Sequence, residues 1–138
     1  MTKPIAIITG ASTGIGRSLS IKLSNNYLVY LISRNKDNLS KTKELISANN
    51  NDCKIIVSDI SKIESIENIY SQIENKEKIK LLINNAGIGV FKNITETSIN
   101  DWDNTLNTNL RGSFLMTKMI VDNLKTKKNG KIVFISSV

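Results

Sequence analysis

The chain has 138 residues, of which 40% are hydrophobic and 22% are charged, a balance typical of one globular domain with its own core. Its 19 Lys and Arg residues against 12 Asp and Glu residues give a net charge of +7. A single cysteine, Cys53, excludes an internal disulfide and a thiolate zinc site, and the absence of histidine excludes a Ser-His-Asp triad and histidine metal sites. We therefore expect no metal site.

The charge and hydropathy patterns indicate the setting in which the protein works. No apolar stretch reaches the length of a membrane span, and the one at residues 5–8 is too short for a signal peptide. The lysines are scattered, and no basic run alternates with aromatic residues, so we interpret the charge as a solvated surface. We expect a cytoplasmic protein that acts on a small molecule, without a nucleic-acid or membrane partner.

Five short apolar runs rich in β-branched residues predict five strands. None alternates apolar with polar residues, which is typical of strands covered on both faces of a parallel sheet. The predicted strands span residues 5–8, 28–32, 55–57, 81–83 and 132–135.

Amphipathic helices are predicted between the strands, because the apolar residues recur at helical spacing and need a sheet to pack on. Asp59 or Ser61 is expected to cap the third helix, and Ser98 or Asn100 the fourth. The predicted buried stripes are Ile15, Leu19 and Leu23 in the first helix, Leu39, Thr42 and Ile46 in the second, Ile63, Ile66, Ile69, Tyr70 and Ile73 in the third, and Trp102, Leu106, Leu110, Phe114, Val121 and Leu124 in a long fourth helix.

The alternation of strands and helices predicts an α/β domain over residues 1–138. Right-handed crossovers give an open parallel sheet of strand order 3-2-1-4-5, doubly wound with helices on both faces. In such sheets ligands bind beyond the carboxyl ends of the strands, where the strand order reverses. The residues that directly follow each strand are therefore the candidate functional residues.

A glycine-rich turn follows the first predicted strand and leads into a helix. Gly10 permits the sharp turn, Gly14 lets the backbone approach a bulky anion, and Gly16 lets the helix pack closely on the strand. The helix N-terminus supplies N–H groups that bind phosphate, and the hydroxyls of Ser12 and Thr13 add donors. The spacing G-x-x-x-G-x-G differs from both the usual dinucleotide fingerprint and a P-loop, and a purely structural turn remains the alternative.

Arg34 follows the second predicted strand, with Ser33 at the place where dinucleotide folds often carry an acidic residue. A guanidinium binds a 2′-phosphate in bidentate fashion, and the missing carboxylate removes a repulsion. This pair favours NADP(H), with NAD(H) the less favoured cofactor. The alternative is a solvated arginine at a helix start.

Polar residues also follow the third and fourth predicted strands. Asp59 is a candidate acceptor for an adenine amino group, or else the helix cap. After the fourth strand, residues 84–87 read Asn-Asn-Ala-Gly, where small residues leave a smooth surface beside a cofactor and the amides can join loops. Asn109 lies in the fourth helix, where asparagine is unfavourable unless it is hydrogen-bonded, so we expect a local role.

These motifs together resemble the compact branch of the short-chain dehydrogenase/reductase family. The resemblance covers the whole chain, and the motifs follow one another in the family's order: residues 9–16, Asp59, residues 84–87, Asn109 and residues 135–137. It implies a Rossmann-like fold that binds NAD(P)(H) and an oxidoreductase that interconverts a carbonyl and a secondary alcohol by hydride transfer.

The resemblance also implies the roles of individual residues. Ser137 would hydrogen-bond the substrate oxygen, and Asn109 would help to hold a proton-relay water, which assigns both to the catalytic site. The implied cofactor-binding residues are Gly10, Ser12, Thr13, Gly14, Ile15, Gly16, Arg34, Asp59, Asn85, Ala86 and Gly87.

The chain departs from the family at its catalytic tyrosine. The family places a Tyr-x-x-x-Lys pair after the fifth strand, but Tyr27, Tyr30 and Tyr70 all precede it, and none has a lysine four residues later. We therefore expect a fold truncated after the fifth strand, in a fragment that is inactive by itself. Because relatives often form dimers or tetramers, the resemblance also implies a homo-oligomer at full length. The alternative function is a non-catalytic dinucleotide-binding sensor or scaffold.

Overall fold

A computed structural model describes residues 3–125 and 129–137 of the chain. Strands and helices alternate along it. The strands are β1 Ile5–Thr9, β2 Leu28–Ser33, β3 Cys53–Val57, β4 Ile79–Asn84 and β5 Lys131–Phe134. The helices are α1 Gly14–Leu23, α2 Lys36–Ser47, α3 Ile63–Ser71, α4 Ile99–Leu106 and α5 Ser113–Lys125, with a 3₁₀ turn at Lys76–Lys78 and a π-helical segment at Asn107–Gly112.

Within the described ranges the strands form one parallel sheet of order β3-β2-β1-β4-β5. This confirms the predicted order and the predicted parallel pairing. The order reverses at β1, because the chain moves from β1 to β2 and β3 on one side and then returns to β4 and β5 on the other. The carboxyl ends of β1 and β4 therefore border the crevice where such folds bind ligands.

The central strand β1 is buried along its whole length, which explains its continuous apolar sequence. Alternate residues point to opposite faces of the sheet. Ile5 and Ile7 pack into a core with α3 and α5, whereas Ala6 and Ile8 pack into a core with α1 and α2. The two cores are the physical basis of the doubly wound architecture.

The predicted stripe of the long helix is wrong over most of its length. Trp102, Leu110 and Phe114 are more than half exposed, and the buried face of α5 is Met116, Ile120 and Leu124. The α4 helix buries none of its residues and packs mainly on the π-helical segment, so the apolar stripe before that segment does not meet the sheet. The wider turn of the π-helical segment then adds a residue, which rotates α5 relative to the predicted register. The predicted single helix is thus two α-helices joined by a π-turn.

Two other stripe residues also lie outside the core. Ile15 is 60% exposed and Ile63 is 58% exposed, although Leu19 and Ile66 pack as the periodicity predicts. Both residues belong to the first turn of their helices, α1 and α3, near the carboxyl edge of the sheet. Ile15 therefore borders the crevice rather than the core.

The helix caps agree with the prediction at α4 but not at α3. Ser98 accepts a hydrogen bond from the Asp101 amide, and the Asp101 side chain accepts one from the Ser98 amide, which forms a capping box. The α3 helix begins after Lys62, and no side chain caps it. In the part of the chain that the structure describes, no helix is long and apolar enough to cross a bilayer.

Candidate functional site

At the amino end of α1, no side chain of the cap residue accepts a hydrogen bond from the backbone amides of the first turn. Thr13 occupies the cap position but makes no side-chain hydrogen bond to the helix, and the first turn contains no acidic residue. The first intrahelical bond described joins the Arg17 amide to the Thr13 carbonyl, 3.1 Å apart. The amide groups of residues 14–16 are therefore not used within the helix, and an anion can accept from them.

Gly10 in the loop before α1 and Gly16 in the first turn of α1 lie where other residues do not fit. Gly10 has a φ of +65°, and a Cβ at that position would lie 2.8 Å from the Ala86 Cα. Gly16 packs still more closely, since a Cβ there would lie 2.1 Å from the Gly10 carbonyl oxygen and 2.5 Å from the Asn85 Nδ2. The loop, α1 and the end of β4 thus meet backbone to backbone.

Gly14 has a different environment from Gly10 and Gly16. Its φ is +53°, and a Cβ built there would meet no atom within 4 Å. The space above Gly14 is open because the residue faces the crevice. A ligand can therefore approach the Gly14 backbone at close range.

Thr9 and Asn85 join the carboxyl ends of β1 and β4. The Thr9 hydroxyl oxygen accepts from the amides of Asn85 and Ala86, both at 3.0 Å. In return the Asn85 Nδ2 lies 3.1 Å from the carbonyls of both Thr9 and Gly10. The Asn85 side-chain amide thus joins the two loops, as predicted for the Asn-Asn-Ala-Gly segment. Ala86 and Gly87, which have at most a methyl side chain, line the groove beside it.

A groove of about 350 Å³ lies over these strand ends. It brings together almost all the residues that the sequence predicts for cofactor binding. Its lining contains Gly10, Ser12, Thr13, Gly14, Ile15, Arg34, Asp59, Asn85, Ala86 and Gly87, together with Ile32, Ser33, Ser58, Ile60, Ile88 and Thr108. Gly16 is the exception, because it lies beneath the loop, where close packing excludes a side chain.

Arg34 is exposed at one end of the groove, directly after β2. The next residue, Asn35, caps α2 by accepting from the Asn38 amide at 2.9 Å. The neighbouring Ser33 hydroxyl donates to the Ser12 hydroxyl at 2.9 Å, which joins this end of the groove to the glycine loop. The Arg34 guanidinium therefore lies beside the uncharged hydroxyls of Ser33 and Ser12.

Asp59 follows β3, the strand next to β2, and its Oδ1 accepts from the Ser61 amide at 3.0 Å and the Ser61 hydroxyl at 2.7 Å. Partial burial alone would raise the pKa of Asp59, but the Ser61 bonds and the charges of Arg34 and Lys62 lower it overall. The carboxylate is thus ionised at neutral pH and fit to accept a hydrogen bond. It closes a turn before α3, and the alternative that Asp59 or Ser61 caps the helix is wrong.

Asn109 lies in the π-helical segment and holds the loop that follows β4. Its Oδ1 accepts from the Ile88 amide and its Nδ2 donates to the Ile88 carbonyl, both at 2.8 Å. These two hydrogen bonds explain why an asparagine, which is unfavourable within a helix, occupies this position. Asn109 does not itself line the groove, but its neighbour Thr108 does.

Ser137 follows β5 at the same edge of the sheet, and it is exposed. β5 pairs with β4 so that Phe134 lies opposite Asn84, and the Ile135 amide donates to the Asn84 carbonyl at 2.9 Å. Ser137 is therefore on the β4 side of the site, beyond the lining of the groove. In the sheet order, β5 lies on the other side of β1 from β2, the strand that Arg34 follows.

None of the three tyrosines, all of which lie in the described part of the chain, lines the groove. Tyr30 is buried, with its hydroxyl accepting from the Glu74 amide at 3.0 Å, and the Tyr70 hydroxyl donates to Asn123 at 3.2 Å. These two hydroxyls are engaged in the core with α3 and α5. Among the residues described, no cluster of three His, Cys, Asp or Glu side chains is arranged to hold a metal ion.

Thr9 and Thr108 are site residues to which the sequence analysis gave no role. The Thr9 hydroxyl bonds residues 76 and 77 positions away, so no local pattern reveals it. Thr108 lines the groove from the π-helical segment, which the apolar spacing does not predict. The available signal for Thr108 was its position, with Asn109, between the apolar residues Leu106 and Leu110.

The model of the short chain dehydrogenase family matches residues 4–138 of this chain. An uncharacterized oxidoreductase of Thermotoga maritima is 32% identical over 134 residues, which are 96% of this chain and 53% of that protein. A 3-oxoacyl-(acyl-carrier-protein) reductase of Buchnera aphidicola is 33% identical over 140 residues, which are 99% and 56% of the two proteins. The chain thus spans about half the length of the curated relatives it matches.

Solved structures of other proteins have a fold similar to that of this chain. A metagenomic short-chain oxidoreductase in complex with NADP superimposes with a TM-score of 0.92 at 26% identity, covering 100% of this chain and 64% of the other. An alcohol dehydrogenase of Thermococcus sibiricus complexed with 5-hydroxy-NADP has a TM-score of 0.85 at 29% identity, covering 97% and 57%. The similarity therefore extends over nearly the whole of this chain.

Proposed function

Because the chain belongs to the short-chain dehydrogenase family, an oxidoreductase family, we propose that the protein binds NADP(H) in the groove and interconverts a carbonyl and a secondary alcohol. The observation that carries the proposal is the open amino end of α1. It faces a groove whose floor of glycine and alanine excludes side chains. Such an end provides N–H donors and the positive end of a helix dipole, which together bind a pyrophosphate.

The groove also favours the phosphorylated cofactor. Arg34 carries a guanidinium that binds phosphate in bidentate fashion, and Ser33 beside it adds no negative charge. Asp59 lies near enough to Arg34 to feel its charge, and it offers an acceptor to the adenine amino group. Two similar solved structures support this preference, since one holds NADP and the other holds 5-hydroxy-NADP.

The residues proposed for catalysis lie near the carboxyl ends of β4 and β5. The nicotinamide, when bound, supplies or accepts the hydride. Ser137 would donate a hydrogen bond to the substrate oxygen, and Asn109 would hold the loop at Ile88 against the reacting end of the groove. None of Tyr27, Tyr30 and Tyr70 lines the groove, so we assign the acid that exchanges a proton with that oxygen to the Tyr-x-x-x-Lys pair that the family places after the fifth strand.

Turnover by the full-length protein tests the proposed reaction. We expect NADPH to be oxidised when a panel of ketones, aldehydes and 3-oxoacyl thioesters is added, measured by the loss of NADPH absorbance. Heat-denatured protein and NADPH without substrate are the controls. Binding of NADPH with no turnover of any carbonyl or alcohol would contradict the enzyme and support the alternative, a non-catalytic sensor or scaffold.

A further inference from the structure

Arg17 is a half-buried cation on α1 that the proposed mechanism does not use. Its Nε donates to the Thr42 hydroxyl oxygen at 3.0 Å, and its Nη2 donates to the carbonyls of Ser12 and Asn38. Neither of the ion pairs found in the described residues includes it. A guanidinium that is held by neutral acceptors in two other elements acts as a connector rather than as half of a salt bridge.

Thr42 is the second member of the same network. It is fully buried, and its Oγ1 lies 3.1 Å from the carbonyls of both Ala11 and Asn38. The hydroxyl therefore accepts from Arg17 and donates to a carbonyl in the loop or in its own helix. Arg17 and Thr42 together join the glycine loop to the first half of α2.

The glycine loop and the start of α2 lie at the two ends of the proposed cofactor site, where the pyrophosphate and the 2′-phosphate would bind. Ser12 belongs to the loop that would bind the pyrophosphate, and Asn38 lies in the first turn of α2, four residues after Arg34. The pairing of β1 with β2 and the Ser33–Ser12 bond already hold Arg34 beside the loop, and the Arg17–Thr42 network adds a second link, between the loop and α2. The spacing between the loop and Arg34 therefore depends on both links. A ligand that occupies both ends gains from the second contact only if that spacing matches its own length.

We infer that Arg17 and Thr42 are positioning residues that help to set the distance between the pyrophosphate loop and Arg34, so that the pyrophosphate and the 2′-phosphate of NADP(H) are bound at once. The inference rests on the proposed function, because it presumes that the groove binds NADP(H). Neither residue is required to touch the cofactor. Their substitution should loosen the link between two contacts without removing either contact.

Two ligands of different length separate this role from a general effect on folding. NADPH spans both ends of the groove, whereas adenosine 2′-phosphate reaches only the Arg34 end. For Arg17→Gln and Thr42→Val in the full-length protein, we expect the dissociation constant of NADPH to rise about tenfold and that of adenosine 2′-phosphate to change by less than about twofold. Titration calorimetry measures both constants, and a thermal melt of each variant checks folding.

Conservative variants serve as the matched controls. Thr42→Ser keeps the hydroxyl and should bind NADPH like the wild type. Arg17→Lys keeps the charge but cannot form the same fork of donors, so it should remain impaired. Lys22→Gln removes an exposed charge from the same helix, and its NADPH affinity should be unchanged.

The outcomes distinguish the inference from the proposed function. Equal loss of both ligands, unchanged NADPH affinity in Thr42→Val, or full affinity in Arg17→Lys would overturn the positioning role. A wild-type protein that binds neither ligand would overturn the proposed function itself. If Arg17→Gln does not fold, the pair Thr42→Val and Thr42→Ser decides the question.

Discussion

Replacing Gly16 with alanine should destabilise the protein by about 3 kcal/mol and abolish dinucleotide binding. The added Cβ would lie 2.1 Å from the Gly10 carbonyl oxygen and 2.5 Å from the Asn85 Nδ2. Neither neighbour can retreat cheaply, because Gly10 is backbone in a left-handed turn and the Asn85 side chain joins β1 to β4. A denaturant melt and an NADPH titration of the full-length protein measure the two effects.

Gly14→Ala is the matched control for this prediction. Its Cβ would meet no atom within 4 Å, so the cost to folding is only the left-handed φ of +53°, about 1 kcal/mol. The methyl group would, however, stand in the groove where the pyrophosphate is proposed to approach the backbone. We expect this variant to fold while losing NADPH affinity. A Gly16→Ala protein as stable as Gly14→Ala would contradict the packing argument.

Replacing Arg34 with alanine should raise the dissociation constant of NADPH by about 10- to 100-fold, because a hydrogen-bonded contact to a charged phosphate contributes about 1.5–3 kcal/mol. NADH lacks the 2′-phosphate, so its dissociation constant should change by less than about twofold. The preference for NADPH over NADH should therefore disappear. Parallel fluorescence titrations with the two cofactors measure it.

Two further variants define what Arg34 contributes. Arg34→Lys retains the charge without the bidentate fork, and an intermediate affinity for NADPH is expected. Lys41→Ala removes an exposed charge from α2 outside the groove and should leave the preference unchanged. Equal affinity of the wild type for NADPH and NADH, or no loss in Arg34→Ala, would contradict the assignment of NADP(H).

The strand order and most of the groove could be predicted because the relevant signals are local. Continuous apolar runs indicate strands that are covered on both faces, and the residues after β1, β2, β3 and β4 then converge by topology alone. Gly10 and Gly14 could be singled out for the same reason, since each has a positive φ that glycine adopts without strain.

The remaining features depend on contacts that sequence spacing does not encode. The exposure of Leu110 and Phe114 depends on tertiary packing, since α4 buries none of its residues and α5 packs through Met116, Ile120 and Leu124 instead. The role of Thr9 depends on bonds to the distant Asn85, and that of Arg17 depends on how α1 and α2 approach each other. The bonds of Thr9 and Arg17 are tertiary contacts between polar groups, for which hydrophobic periodicity provides no signal.

A crystal structure of the full-length protein with NADPH tests the central claim most directly. We predict pyrophosphate density within hydrogen-bond distance of the backbone amides between Ser12 and Ile15, with the 2′-phosphate beside Arg34. Density for the nucleotide elsewhere, such as the apolar surface between α3 and α5 at Ile66 and Met119, with side chains filling the groove over Gly14, would contradict it.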